Sequence, residues 1–434
     1  MNQKYFNAFS RKLDTTLSNE EIDEIASNSE FCQRKRRINP RELLICLMTT
    51  MGCDKTETIA DIHRRFVEYT GQDITYRAMH SQLSKEAFPE FMREALSHLL
   101  TEWLAPAQVF SQQSPFSRFR QILLQDGSSF ALNDSLKGIY PGRFSTVSPA
   151  AVELHATMDL LADQVCSISL TADTASERDC LPELSELDNC LLLVDRGYFD
   201  LDWFSRLDMS GGHFIGRCLN GVNPVVEKAW SERGKVLELD EGATLKTVQN
   251  RLLKKQRTEL AVCWKLNGKG EFRARLIAFW NEEEGRYTWL ITNLPRDEFS
   301  LSEISDAYRL RWQIELLFKE WKSYANLHRF NTSNPHLAEG LIWASVAAAV
   351  LRRFICQGAQ RLAGRPLSTR RVAMSCASTL TQLMTALLHH RRAEAKRLLE
   401  KIMAYLGVYA QRAHPKRDRK TGRSKLGLLP IGCC

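Results

Sequence analysis

The sequence predicts a mixed α/β core, interrupted by an antiparallel β insertion and flanked by helical N- and C-terminal regions. Three observations point there. From Phe119 onward, short apolar runs such as RQILLQ and LLLV each stop at an aspartate. Between residues 219 and 286 the runs KVLELD, LAVCWKL and FRARLIAFW alternate as strands of an antiparallel sheet do. On either side, residues 1–110 and 337–408 carry helical spacing with few strand formers.

Taken in order, Glu20–Ser27, Arg41–Met51, Thr56–Tyr69 and Glu90–Leu104 read as helices, and Gly71–Ser84 as a turn followed by a short helix. A basic cluster, Arg34–Arg37, precedes a helix start. Two readings of residues 1–112 stand side by side: a DNA-binding helical domain with a helix-turn-helix element, or a helical bundle with a solvated charge run.

The core is expected at 113–218 and 287–335. Arg120–Gln125 is a strand ending at Asp126, and Val152–Leu161 with Gln164–Thr171 is a strand pair. Leu191–Val194 is a wholly apolar strand ending at Asp195, Phe199–Leu207 a helix, and His213–Cys218 a strand. Residues 219–286 form the insertion, and Tyr287–Thr292 (YTWLIT) returns to the core. A helix then starts near Ser300 or Ser302, either of which can cap it, with Glu303 in its first turn. Residues 336–410 are the C-terminal helical region, the candidate dimerisation element. Residues 411–434 are a basic tail, of which Ala413–Lys425 is expected to be disordered.

The stretch Ala307–Lys322 (AYRLRWQIELLFKEWK) carries the chemistry. Tyr308, Arg311, Glu315 and Lys322 fall within an arc of roughly 60° on an α-helix turning about 100° per residue. Leu310, Ile314, Leu317, Phe318 and Trp321 make a separate apolar stripe. One face can dock on a core while the other holds a metal ion beside a phosphate. If this helix packs on the sheet, Glu315 can approach Asp126 and Asp195. Such hard oxygen donors suit Mg²⁺ or Mn²⁺. Each residue alone has an ordinary reading: an aspartate after a strand is often a turn residue, and Glu315 can pair with Lys319.

The net charge of +8 favours a polyanionic partner. Twelve cysteines without a C-x-x-C pair argue against a zinc ribbon or a secreted disulfide scaffold. Cys433 and Cys434 read as a free tail. The N-terminus has no signal-type apolar run, and Leu341–Leu351, followed by Arg352 and Arg353, is too short to span a bilayer. A cytoplasmic location follows as the expectation.

The segments ILLQDGSSF, LLLVDRGYFD, HFIGRC, YTWLITNLP and YRLRWQIELLFKEWKS resemble the DDE transposases of the insertion-sequence 4 family. The resemblance implies a ribonuclease-H-like mixed sheet with helices. It implies Asp126, Asp195 and Glu315 as a catalytic triad binding two Mg²⁺ ions, with Mn²⁺ able to substitute. It also implies Tyr308, Arg311 and Lys322 as phosphate contacts, Arg217 as a further one, and Trp289 as an aromatic that stacks on a flipped base. For Trp289 a core tryptophan on a strand is the equal alternative. One departure stands out: many members carry Lys-Leu-His where this chain has Glu153-Leu154-His155. His155 reads as a satisfied strand histidine.

The function so implied is a transposase that binds the terminal inverted repeats of its insertion sequence and cleaves double-stranded DNA there. It then joins the ends to target DNA, through a hairpin in some members, as a homodimer at the nucleoid. The alternatives are a metal-dependent DNA nuclease without strand transfer, or a catalytically idle DNA-binding regulator of transposition.

Overall fold

A computed structural model describes residues 2–34, 37–53, 58–254, 256–266, 270–327, 330–412 and 425–431. The basic cluster at 34–37 and the basic tail lie partly outside these residues. Thr56, Cys433 and Cys434 lie outside them as well.

Among the described residues, six helices come first: α1 (Gln3–Thr16), α2 (Asn19–Asn28), α3 (Pro40–Cys53), α4 (Ile59–Thr70), α5 (Tyr76–Leu83) and α6 (Ala87–Trp103). The first lies in the stretch expected to be helical, though the sequence does not mark its bounds. Its polar composition hides Phe6, Phe9 and Leu13, which share one buried face. Gly71 at φ 68° caps α4 in the left-handed region, and the chain turns there toward α5.

The strands follow: β1 (Gln108–Phe110), β2 (Gln121–Ala131), β3 (Pro141–Phe144), β4 (Ser148–Asp159), β5 (Gln164–Ala172) and β6 (Cys190–Val194). Next come α7 (Leu201–Met209) and β7 (His213–Arg217), then β8 (Val225–Ser231), β9 (Val236–Leu237), α8 (Leu245–Val248), β10 (Thr258–Leu266), β11 (Gly270–Asn281) and β12 (Arg286–Thr292). The chain continues with α9 (Leu301–Arg309), α10 (Trp312–Tyr324), α11 (Pro335–Ala363), α12 (Thr369–Ser375), α13 (Ala377–Leu388), α14 (Arg392–Tyr409) and β13 (Leu428–Pro430).

Among the described residues, eleven strands join one mixed sheet in the order β3-β4-β2-β6-β7-β12-β11-β10-β8-β9, with β5 also on β4. β2, β6 and β7 are parallel; the other pairings are antiparallel. The insertion is therefore a continuation of the central sheet through β12 and β11 rather than a separate layer. Both faces of the central strands are covered. Leu124, Leu191, Leu193 and Ile215 belong to one apolar cluster; Leu123, Leu192, Val194 and Phe214 belong to the other.

The first cluster also takes in the helices from both ends of the chain. α11, with Asn334 as N-cap, Pro335 at its first position and Gly364 (φ 61°) as C-cap, packs on α3, α6 and α14. Arg41 on α3 is 2% exposed. It donates to Leu387 O at 2.7 Å and Leu388 O at 3.2 Å, satisfying carbonyls at the C-terminal end of α13. The N- and C-terminal helices thus share one core. Beyond the stretch expected to be disordered, β13 pairs with β1. Leu341–Leu351 is buried inside α11, and among the described residues no helix is long and apolar enough to cross a membrane. Cys46, Cys190, Cys218, Cys263, Cys356 and Cys376 are buried thiols outside any disulfide.

Candidate active site

Strand register builds the first half of the site. β2 and β6 run parallel with Gln125 opposite Val194, and β6 and β7 with Val194 opposite Gly216. The next residues along the chain are Asp126 on β2, Asp195 just past β6 and Arg217 on β7. These three stand in a row on strands about 4.8 Å apart. Side chains alternate along a strand, so Asp126 takes the face of Ile122 and Leu124, and Asp195 that of Leu191 and Leu193. Arg217 shares the face of Ile215.

Asp126 does not end its strand. β2 continues to Ala131, because Gly127 to Ala131 keep pairing with β4 after β6 has turned away. Asp195 does follow the last residue of β6 and opens a tight turn, Arg196–Tyr198.

The second half comes from α9 and α10. Ser300 caps α9 in a reciprocal box: its Oγ accepts from Glu303 N at 3.3 Å, and its N donates to Glu303 Oε2 at 2.8 Å. The continuous helix expected over 307–322 is broken at Leu310–Arg311, where i→i+3 bonds such as Arg311 N to Tyr308 O (3.0 Å) tighten the turn. Both residues keep right-handed angles, so the stripe survives the break. Ile314, Leu317, Phe318 and Trp321 anchor α10 in the same apolar cluster that lies under Asp126 and Asp195.

The polar stripe therefore meets the row of acids. Tyr308 donates its hydroxyl to Asp195 Oδ1 at 3.2 Å. Arg311 donates from Nη1 to Asp126 Oδ2 at 2.8 Å and from Nη2 to Glu315 Oε1 at 2.5 Å. Lys322 Nζ donates to Ser129 O on β2 at 2.7 Å. Arg217 pairs with Glu284 at 3.3 Å.

The electrostatics follow from burial. Asp126 is pushed up to about 6, first by burial and then by Asp195 and Glu315, against the lowering pull of Arg311 and the Gly127 N–H. Burial would lower Arg311, but Tyr308, Asp126, Asp195 and Glu315 outweigh it and hold the guanidinium charged. Burial, reinforced by Asp195, raises Tyr308 and keeps its phenol a donor. Burial lowers Lys322.

Among the described residues, no three His, Cys, Asp or Glu side chains are spaced to hold a metal ion as they stand. The reason lies in the geometry: Arg311 is the cation between Asp126 and Glu315. The oxygen donors themselves fit a hard divalent ion.

Trp289 does not join this group. It pairs with Ala278 on β11 and alternation turns it to the opposite face, where it is 8% exposed and packs beside Tyr287, ring centroids 5.6 Å apart. A polar set on that reverse face gathers Glu153 and His155, named from the sequence, with partners that the sequence does not single out. Arg143 bonds Glu153 and lies 3.5 Å from Glu177, and His155 bonds Tyr198 and Thr171 at 3.0 Å each. Arg143 sits in an unremarkable segment, PGRF, and nothing local marks it.

Residues 117–351 match the family described as transposase DDE domain. The chain is similar to the transposase for insertion sequence element IS231C of Bacillus thuringiensis subsp. berliner, with 23% identity over 383 residues, 80% of this chain and 78% of the relative. It is likewise similar to the transposase for insertion sequence element IS1151 of Clostridium perfringens, with 22% identity over 371 residues and 76% of each chain. A solved piggyBac transposase synaptic complex with hairpin DNA aligns over 93% of this chain and 86% of that one, with 12% identity and a TM-score of 0.48.

Proposed function

The chain belongs to the DDE-domain transposases, enzymes that cut and transfer DNA strands, and on that premise we propose a finer reading. It is a transposase of the insertion-sequence 4 type with a ribonuclease-H-like core. It binds the terminal inverted repeats of its own element, cleaves there and joins the ends to target DNA, two protomers holding two ends. The observation that carries the reading is the register that sets Asp126 beside Asp195, with Glu315 tied to Asp126 through Arg311.

Asp126, Asp195 and Glu315 would hold Mg²⁺, or Mn²⁺ in its place, and a bound pair of ions would supply activation of a water or 3′-hydroxyl and charge stabilisation of the leaving oxygen. The protein's own groups do the rest. Tyr308 orients Asp195 through the hydroxyl bond and remains protonated while doing so. Arg311 serves first as counter-cation to the acids and then as a two-pronged donor to the DNA phosphate near the cut. Lys322, bonded to Ser129 O at 2.7 Å, supplies a second positive contact when its flexible stem swings to the phosphate. In-line attack by a positioned oxygen needs no covalent enzyme intermediate. The freed 3′-hydroxyl can attack the opposite strand to close a hairpin. Trp289 has no part in this scheme from where it lies, and Arg217 reaches DNA only after leaving Glu284.

The test is a strand-transfer assay with Mg²⁺ and duplexes bearing the element's terminal repeats. Joined products support the transposase. Cleavage without joining supports the nuclease, and binding alone supports the idle regulator.

A further inference from the structure

The reverse face of the sheet carries charged groups that the proposed chemistry does not use. Arg143, on the edge strand β3, is their centre. Its backbone N donates to Asp173 Oδ2 at 2.8 Å and its Nε to Asp173 O at 2.5 Å, which fixes the start of the side chain. Its Nη2 pairs with Glu153 Oε2 and lies 3.5 Å from Glu177 Oε1. The two glutamates in turn back onto two glycines. A methyl added at Gly127 would meet Glu153 Oε1 at 2.6 Å, and one added at Gly197 would overlap the Glu177 carboxylate. Gly127 follows Asp126 and donates its N–H to Asp126 Oδ1 at 3.0 Å. Gly197 lies in the turn that Asp195 opens, and Tyr198 of that turn is held by His155.

We propose that Arg143, Glu153 and Glu177 are positioning residues: a clamp on the reverse face that sets Asp126 and Asp195 at the spacing a divalent ion requires. The inference rests on the reading of those aspartates as metal ligands. The clamp touches neither ion nor DNA and acts through the backbone at Gly127 and Gly197. His155 adds a neutral support: burial, and then Arg143, push it down to about 4, so it works by hydrogen bonds alone. Groups of this kind orient ligands from outside the coordination sphere.

Sign separates this from simple electrostatics. Removing a nearby cation strengthens cation binding if charge alone matters; loosening the clamp weakens it. Mn²⁺ binding to the full-length protein, followed by electron paramagnetic resonance, reads the difference without any turnover. Arg143→Met keeps the stem and loses the charge, and its Mn²⁺ affinity is expected to fall about tenfold. Arg143→Lys pairs one carboxylate at a time and is expected to lie between the two. Circular dichroism checks folding, and if Arg143→Met does not fold, Arg143→Lys decides. Unchanged or tighter Mn²⁺ binding in the folded variant overturns the clamp. Wild-type protein that takes up no Mn²⁺, or Asp195→Asn that takes it up as well as wild type, overturns the metal-site reading and the clamp with it.

Discussion

Arg311 is bonded to Asp126 at 2.8 Å, and with its other nitrogen to Glu315, so a largely buried guanidinium stands among the acids. These contacts offset the like charges gathered on one face of the sheet. They also make Arg311 a competitor for whatever cation the acids bind.

Replacing it has a defined consequence. Arg311→Met removes the competitor, and Mn²⁺ affinity of the DNA-free protein is expected to rise about tenfold, equivalent to about 1.4 kcal/mol. Stability without metal falls, because the acids lose their counter-cation. Titration calorimetry and thermal melts with and without Mn²⁺ measure both. Weaker Mn²⁺ binding in this variant contradicts the competitor role.

Asp126 carries a pH signature. Its folded-state value is raised to about 6, above the ordinary aspartate value, so the folded protein prefers the protonated form. The sign follows: its contribution to stability is fully present below the unfolded-state value of about 4 and is lost as pH rises through about 6. Asp126→Asn removes a group that is costly to ionise. The variant is expected to be more stable than wild type at pH 7.5, by about 3 kcal/mol at most, and to show no gain near pH 4. Denaturant melts at the two pH values check this, and equal gains at both would count against it.

Lys322 leans on Ser129 O and is exposed to solvent. As a phosphate contact, Lys322→Ala is expected to weaken DNA binding uniformly across sequences and to reduce the salt slope by about one. An unchanged slope would mean that Lys322 does not touch phosphate.

Trp289 gives a sharper contrast. From its buried place between β11 and Tyr287, Trp289→Ala is expected to cost about 3–5 kcal/mol of folding stability. Undiminished stability with a selective loss of cleavage would instead place it at a flipped base.

Much of the site could be read from residues alone, and the limits have physical causes. The stripe of Tyr308, Arg311, Glu315 and Lys322 was legible because helix spacing converts directly into a shared face. The tightening at Leu310–Arg311 was not, since neither proline nor glycine marks it. Asp126 and Asp195 drew attention by following apolar runs. That they stand in register is a tertiary fact, fixed by which residues pair across β2 and β6. The face of Trp289 was undetermined in YTWLIT because both faces of this sheet are buried, so the strand shows no polar alternation. Arg143 was invisible for a related reason: Glu153, Asp173 and Glu177 meet it only through the fold. In α1, a mostly polar stretch conceals three apolar residues at helical spacing.

The most direct measurement is anomalous scattering from crystals of the wild-type protein grown with Mn²⁺. The account predicts Mn²⁺ coordinated by oxygens of Asp126, Asp195 and Glu315, with Arg311 withdrawn from between them. Manganese bound elsewhere, with Arg311 still bridging Asp126 and Glu315, would contradict it.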